Sequence, residues 1–201
     1  KEEYKTIYNE LDKLDISVLI NNVGFGGAMV EPFHTADESQ VVSTYQLNII
    51  PQVHISHYVL GRLAERKDKK SAVVSISSVL GLITMPQFHT YGATKAFNRL
   101  FMDSICQTPS YKDIDFLCLN TASVKTNMNE GKSMLTETPY RYAKQSLTQL
   151  GYTTQDLGCW RHSLLFYMMS NPFLLPIVIA NALTNDNRVG NLEKQETVTQ
   201  K

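Results

Sequence analysis

Apolar residues recur along this chain with two different periods. Tyr4, Ile7, Tyr8, Leu11 and Leu14 stand three and four residues apart among Lys, Glu and Asn, the one-sided stripe of an amphipathic helix. Residues 16–20 form instead a short run of β-branched and aliphatic side chains ended by Asn21-Asn22-Val23-Gly24, which predicts a buried strand running into a loop. Helical spacing resumes at Thr35 and runs to about Arg66. Pro51 lies inside it and has no backbone N–H to donate, so the pattern predicts two helices, or one kinked helix, with the break near Asn48. Residues 72–76 predict a second buried strand leading into Ser77-Ser78. Tyr91, Lys95, Ala96, Leu100, Phe101 and Ile105 predict a helix over 91–107, stopped by Pro109, and residues 114–119 a third strand. This alternation predicts an α/β fold, a doubly wound parallel sheet with helices on its faces. Ligands of such sheets bind at the carboxyl ends of the strands, here the loops 21–27, 77–81 and 120–127.

The C-terminal third changes character. Thr138-Pro139 suits an N-cap followed by Pro at the first helical position, and Gly151 suits a stop, so a helix is predicted over 139–150. Residues 163–185 then contain no Lys, Arg, Asp or Glu. That is long enough for a membrane helix of ~20 apolar residues, but Ser170-Asn171-Pro172 and Pro176 interrupt it and Asn181 follows. Two apolar pieces, 164–169 and 173–180, predict a helical hairpin that lies in a membrane interface or packs against protein, with a true span ranked behind both. A polar tail, 186–201, closes the chain.

Composition narrows the picture. A length of 201 residues fits one domain on a prior of about 100–200 residues each. Lys and Arg number 19, Asp and Glu 19, for a formal charge of 0, which disfavours nucleic acid as a partner. Cys106, Cys118 and Cys159 include no C-x-x-C pair, which disfavours a disulfide framework and a zinc site and suits a reducing compartment. The first residue is Lys1, not Met, as in a processed or partial product.

Chemistry concentrates at the predicted strand ends. Tyr91 and Lys95 stand four apart on one helix and project toward one volume. A nearby ammonium favours the phenolate, and a Tyr tuned in this way exchanges protons with a carbonyl or an alcohol. Ser78, at the end of the second strand, places a hydroxyl where it can bond the same substrate oxygen. Asn21-Asn22-Val23-Gly24 ends the first strand, and Asn48 offers an amide at the predicted helix break. His54 and His57 stand three apart with no third ligand nearby and read as helix-face histidines, so no metal site is expected. His89 reads as a solvated loop residue, and the cluster from Phe166 to Met169 as packing.

In order and spacing, these residues resemble the short-chain dehydrogenase/reductase family. The family's Asn-Asn-Ala-Gly motif stands here as Asn21-Asn22-Val23-Gly24, its active-site Asn as Asn48, its strand-end Ser as Ser78, and its Tyr-x-x-x-Lys as Tyr91 and Lys95. The resemblance implies NAD(P)-dependent carbonyl reduction or alcohol oxidation. Tyr91 would be the general acid or base, Lys95 would lower its pKa and bind the nicotinamide ribose, Ser78 would hold the substrate oxygen, and Asn48 would anchor a relay water. Asn21, Asn22, Gly24 and Thr126 would line the cofactor. The stretch from Pro139 through Tyr142 and Gly151 to Gly158-Cys159-Trp160-Arg161-His162 resembles the very-long-chain 3-oxoacyl-CoA reductase and 17β-hydroxysteroid dehydrogenase branch. That branch implies NADPH, a lipid-like acyl or steroid substrate, fatty-acid elongation or steroid metabolism, and an intracellular membrane, the endoplasmic reticulum before the mitochondrion.

Three departures qualify the resemblance. No Gly-rich turn follows a first strand to cradle a pyrophosphate; the nearest segment, Gly24-Phe25-Gly26-Gly27-Ala28-Met29, reads as a flexible loop on the adenosine side. Residues 1–159 therefore correspond to the C-terminal two-thirds of a Rossmann-type domain, incomplete at its N-terminal side, where the residues choosing NAD or NADP would lie. Pro-Gly of the family appears as Thr121-Ala122, and its small Ala as Val23. Two functions stay open: an oxidoreductase acting through Ser78, Tyr91 and Lys95, and a catalytically inactive subunit of a larger, membrane-bound or homo-oligomeric assembly.

Overall fold

The computed structural model describes residues 2–27, 32–66, 69–129, 133–178 and 180. Helix α1 (Glu2–Leu11) precedes strand β1 (Val18–Asn21), the long helix α2 (Glu38–Ala64) and strand β2 (Ser71–Ser78). Helix α3 (His89–Cys106), strand β3 (Ile114–Thr121), helix α4 (Pro139–Ser146), strand β4 (Gln155–Asp156) and helix α5 (Trp160–Ser170) follow. The strands form one sheet in the order β1-β2-β3-β4, every pair parallel. The α/β expectation is met, and the loops 21–27, 77–81 and 120–127 leave the same edge of the sheet.

The central strands read as continuous apolar runs because both of their faces are covered. On one face Val73, Ile114, Phe116 and Cys118 pack with Val59, Leu60 and Leu63 of α2 and Met102 of α3. On the other, Val74, Leu117 and Leu119 pack with Ile76 and Leu150. The two-residue β4 has no apolar run to announce it. It is an edge pairing of Gln155 with Cys118 and Asp156 with Leu119.

Helix α2 is one helix, not two. It runs unbroken through Pro51, although a proline inside a helix costs ~3 kcal/mol or more. Its inner face explains why it persists. Thr44, Asn48, Gln52 and Ser56, one turn apart, are all buried, and three of them reach across the fold: Asn48 to Phe25 and Thr94, Gln52 to Ser75, and Ser56 to Asn21. These bonds hold the helix against the sheet where local preference would interrupt it. Asp37 caps its start by accepting from the Ser39 amide at 2.8 Å. Helix α1 lies against it, with Tyr4 stacked on His54 at 4.4 Å and Tyr8 on Tyr58 at 3.9 Å. His54 is thus a packing residue, and among the described residues no cluster of three His, Cys, Asp or Glu is placed to hold a metal.

Helix α4 begins at Pro139 as expected, but the Thr138 side chain does not cap it; the Thr138 amide is taken by Glu137 Oε1 at 3.0 Å. The helix closes in a 3-10 turn, Leu147–Gln149, before Gly151 at φ +83. Beyond α5, residues 175–178 are again helical. No helix among the described residues is long and apolar enough to cross a membrane. Lys1, Ala28, Met29, residue 179 and residues 181–201, which include the end of the predicted apolar segment and the polar tail, lie outside the described residues.

Candidate active site

The sheet edge gathers most of the residues singled out in the sequence. Ser78 ends β2 and accepts the Leu80 amide at 3.2 Å. That bond uses a lone pair and leaves its O–H to favour the Tyr91 oxygen nearby. Tyr91 and Lys95 lie one turn apart on α3. The Lys95 side chain is 2% exposed; Nζ donates to the Ile76 carbonyl at 2.9 Å and stands 5.7 Å from the Tyr91 ring centre. The backbone of α3 is brought this close by Gly81. A Cβ there would stand 2.7 Å from the Lys95 carbonyl carbon and 2.8 Å from the Ala96 nitrogen, a contact no side chain tolerates. Ser77 fixes the same turn, its hydroxyl donating to the Lys95 carbonyl at 2.7 Å.

Asn48 joins α2 to the site. Its Oδ1 accepts the Phe25 amide at 2.7 Å, and its Nδ2 donates to the Phe25 carbonyl and to Thr94 Oγ1, each at 3.0 Å. Thr94 in turn donates to the Tyr91 carbonyl at 2.8 Å. Both amide hydrogens of Asn48 are therefore committed, and the loop expected to be flexible is clamped at Phe25. Gly24 lies against Lys95, where a Cβ would be 3.4 Å from Nζ. The other expected cofactor residues are not drawn in: Asn21 donates to Ser56 Oγ at 3.0 Å, Asn22 is exposed, and the exposed Thr126 closes a turn with Asn129.

Electrostatics at the site differ from the sequence expectation. Burial of the phenol pushes Tyr91 above its ordinary value, and the bond from Ser78 pulls it back only in part. Lys95 does not reverse this, because its ammonium is turned to Ile76. Burial lowers Lys95 itself to about 8. The consequence for pH follows from the signs. A protonated Tyr91 persists through the neutral range, whereas Lys95 loses its charge as pH rises through about 8. If the charged form is needed, kcat/KM for a reaction at this edge, which reports the free enzyme, is flat from weakly acidic to neutral pH and falls through about 8; a rate that rises steadily across that range contradicts the assignment.

A second buried group borders the site. His162 on α5 is 0% exposed, with Nδ1 3.2 Å from the Ala122 amide and Nε2 3.0 Å from the Ser123 carbonyl. Burial holds its pKa below the ordinary histidine value, although both carbonyls it faces, those of Ser123 and Leu157, pull upward. Tyr142 packs on it at 4.8 Å and bonds Thr121 Oγ1 at 2.8 Å. Glu137, 1% exposed, faces Arg141 at 3.6 Å and Arg161 at 3.7 Å. Sequence reasoning used His162 only as part of a resemblance and missed Thr94, Gln52 and Glu137, because their roles come from tertiary contacts that no spacing announces.

A nicotinamide nucleotide fits part of this edge. Nζ of Lys95 carries three donors, of which Ile76 takes one, and Gly24 leaves the space beside it without a side chain. Those groups, with Ser78 and Tyr91, suit the ribose and nicotinamide end. The described residues offer no glycine-rich turn opening directly onto a helix start for the pyrophosphate.

A parallel sheet whose strand ends collect Ser78, Tyr91 and Lys95 defines a Rossmann-type α/β protein. The sequence profile of the family described as short chain dehydrogenase matches residues 1–135, and the chain belongs to that family. It is 26% identical over 160 residues to a very-long-chain 3-oxoacyl-CoA reductase of Mycosarcoma maydis, covering 79% of this chain and 45% of that protein. It is 25% identical over 169 residues to 17-beta-hydroxysteroid dehydrogenase type 3 of Homo sapiens, covering 83% and 54%. The chain thus spans about half the length of the curated relatives it matches. A crystal structure of a short chain dehydrogenase from Escherichia coli CFT073 complexed with NADPH matches the fold with a TM-score of 0.56 at 18% identity, over 63% of this chain and 52% of that one.

Proposed function

We propose that the polypeptide to which this chain belongs is an NADPH-dependent oxidoreductase that reduces a carbonyl of the 3-oxoacyl-CoA or ketosteroid type. The observation that supports this most is the meeting of the Ser78 hydroxyl, the Tyr91 phenol and the buried Lys95 ammonium at one strand edge. A nicotinamide held beside Lys95 and Gly24 would supply the hydride that the carbonyl carbon needs. Tyr91, held protonated by burial, gives its proton to the carbonyl oxygen, and Ser78 holds that oxygen as it gains charge. Lys95, with two donors left beside the Ile76 carbonyl, would order the ribose hydroxyls. Asn48 keeps loop 24–27 and the first turn of α3 in register with these groups.

The relatives named for acyl-CoA and steroid substrates support a lipid-like substrate, and α5 suits delivery of one. Trp160 at its start is 63% exposed, and on the uncharged segment from 163 to 178 Tyr167 is 61% exposed, Phe173 87% and Ile177 58%. Such an aromatic and aliphatic surface lies readily in a membrane interface, of the endoplasmic reticulum by resemblance. Replacing Trp160, Tyr167 and Phe173 together by Ser is expected to move the natural polypeptide from the floating to the soluble fraction in vesicle flotation; unchanged flotation removes the membrane assignment.

The function itself is tested with the full natural polypeptide, NADPH or NADH, and matched 3-oxoacyl-CoA and ketosteroid substrates. Cofactor consumption with formation of the corresponding hydroxy product is expected, faster with NADPH. Absence of both turnover and cofactor binding favours the inactive-subunit alternative.

A further inference from the structure

The loop leaving β3 starts beside the site, since Thr121 is the ladder partner of Ser78. Its first residues are Thr121-Ala122-Ser123, with neither a proline to fix φ nor a glycine to favour a special turn. The polypeptide fixes this backbone from outside. The Ser123 carbonyl accepts from the Glu137 amide at 3.0 Å, and Thr121 is tied to Tyr142 through its side chain. The Ala122 amide is met by His162 Nδ1 at 3.2 Å.

A neutral imidazole has a single N–H, and its position follows from the three groups around the ring. With the proton on Nε2, the ring donates to the Ser123 carbonyl at 3.0 Å while Nδ1 accepts the Ala122 amide at 3.2 Å. With the proton on Nδ1, it donates only to the Leu157 carbonyl at 3.2 Å. The Ala122 N–H then faces another donor, and the Ser123 carbonyl faces a lone pair. The first tautomer meets both loop groups; the second leaves the Ala122 N–H without an acceptor, and the Ser123 carbonyl with the Glu137 amide alone.

We propose that His162 is the positioning residue of loop 121–126, pinning Ala122 and Ser123 from the C-terminal helix so that the chain leaving β3 is held next to Ser78. The pin itself stands on the geometry, and its effect on turnover rests on the oxidoreductase reading above. It makes α5 part of the site's framework: a helix whose outer surface is apolar reaches the catalytic edge through one buried side chain.

The test compares the full natural polypeptide with His162→Phe, which keeps a planar ring but neither hydrogen bond, and with His162→Asn, whose amide oxygen can still accept the Ala122 amide. Amide hydrogen exchange is followed by mass spectrometry. In the Phe variant, exchange over 121–126 is expected to accelerate roughly tenfold or more, the loss of about one net hydrogen bond, while 114–119 of β3 exchanges at the original rate. The Asn variant restores protection at Ala122, and kcat for carbonyl reduction follows the same order when all three proteins are assayed well below the lowest of their thermal midpoints. Unchanged exchange over 121–126, equal acceleration over 114–119, or unchanged kcat in the Phe variant overturns the proposal. Absence of turnover in the unsubstituted polypeptide overturns the oxidoreductase reading instead, and the exchange comparison still decides the pin.

Discussion

Replacing Tyr91 by Phe is expected to lower carbonyl turnover by about a hundred- to ten-thousandfold, the range that a positioned general acid contributes, and to leave folding almost unchanged. The reasons lie in what the hydroxyl touches. It faces the Ser78 hydroxyl, whose oxygen keeps the Leu80 amide in either case, so its removal withdraws one acceptor from the Ser78 O–H and strands no backbone group. The ring remains beside Lys95, and the Tyr91 carbonyl still accepts from Thr94. The effect should therefore fall on kcat, with substrate KM and thermal midpoint little altered. A loss of turnover accompanied by an equal loss of folded protein would assign Tyr91 a structural role.

Replacing Asn48 by Ala has the opposite profile, a large loss of stability. It removes three hydrogen bonds, two to Phe25 and one to Thr94, from a side chain that is 2% exposed. Some of the released groups can reach water through the half-open loop at Phe25, so the cost is set below a sum over fully stranded groups, at about 2–3 kcal/mol. For a chain of this size that lowers the thermal midpoint by roughly 5–10 °C, read by thermal melting. Asn48→Asp, which keeps the acceptor for the Phe25 amide but not the donors, should fall between. A midpoint within about 1 °C of the original for the Ala variant would show that the clamp contributes little.

What was legible in the sequence follows the range of the forces involved. Strands β2 and β3 are written as apolar runs because a sheet covered on both faces needs them, and Tyr91 and Lys95 are legible as a pair because four residues make one helical turn. Ser78 is legible because a strand end is visible from the run that precedes it. Whether Pro51 splits α2 was not legible, because the proline penalty is local, whereas the bonds of Asn48, Gln52 and Ser56 that outweigh it come from partners 23 to 46 residues away. The strand β4 was missed because two polar residues owe their pairing to the neighbouring edge, not to their own preference. The direction of the Tyr91 shift was also beyond the sequence. Motif spacing places an ammonium near the phenol, but only the fold shows that Lys95 is turned to Ile76 and that burial dominates. His162 gave one signal, its place in a resemblance; its buried contacts with Ala122 and Ser123 needed the path of the chain.

The central claim is that this sheet edge carries out carbonyl reduction with Tyr91 as the proton donor. Its most direct measurement is label transfer by the full natural polypeptide, with NADPH deuterated at the transferring position and a 3-oxoacyl-CoA or ketosteroid substrate, read by mass spectrometry of the hydroxy product. One deuterium on the carbinol carbon of the product from the unsubstituted polypeptide, and about a hundredth or less of that labelled product in the same time from Tyr91→Phe, is the result expected. Product formed by Tyr91→Phe at the unsubstituted rate, or no labelled product from either polypeptide, would contradict it.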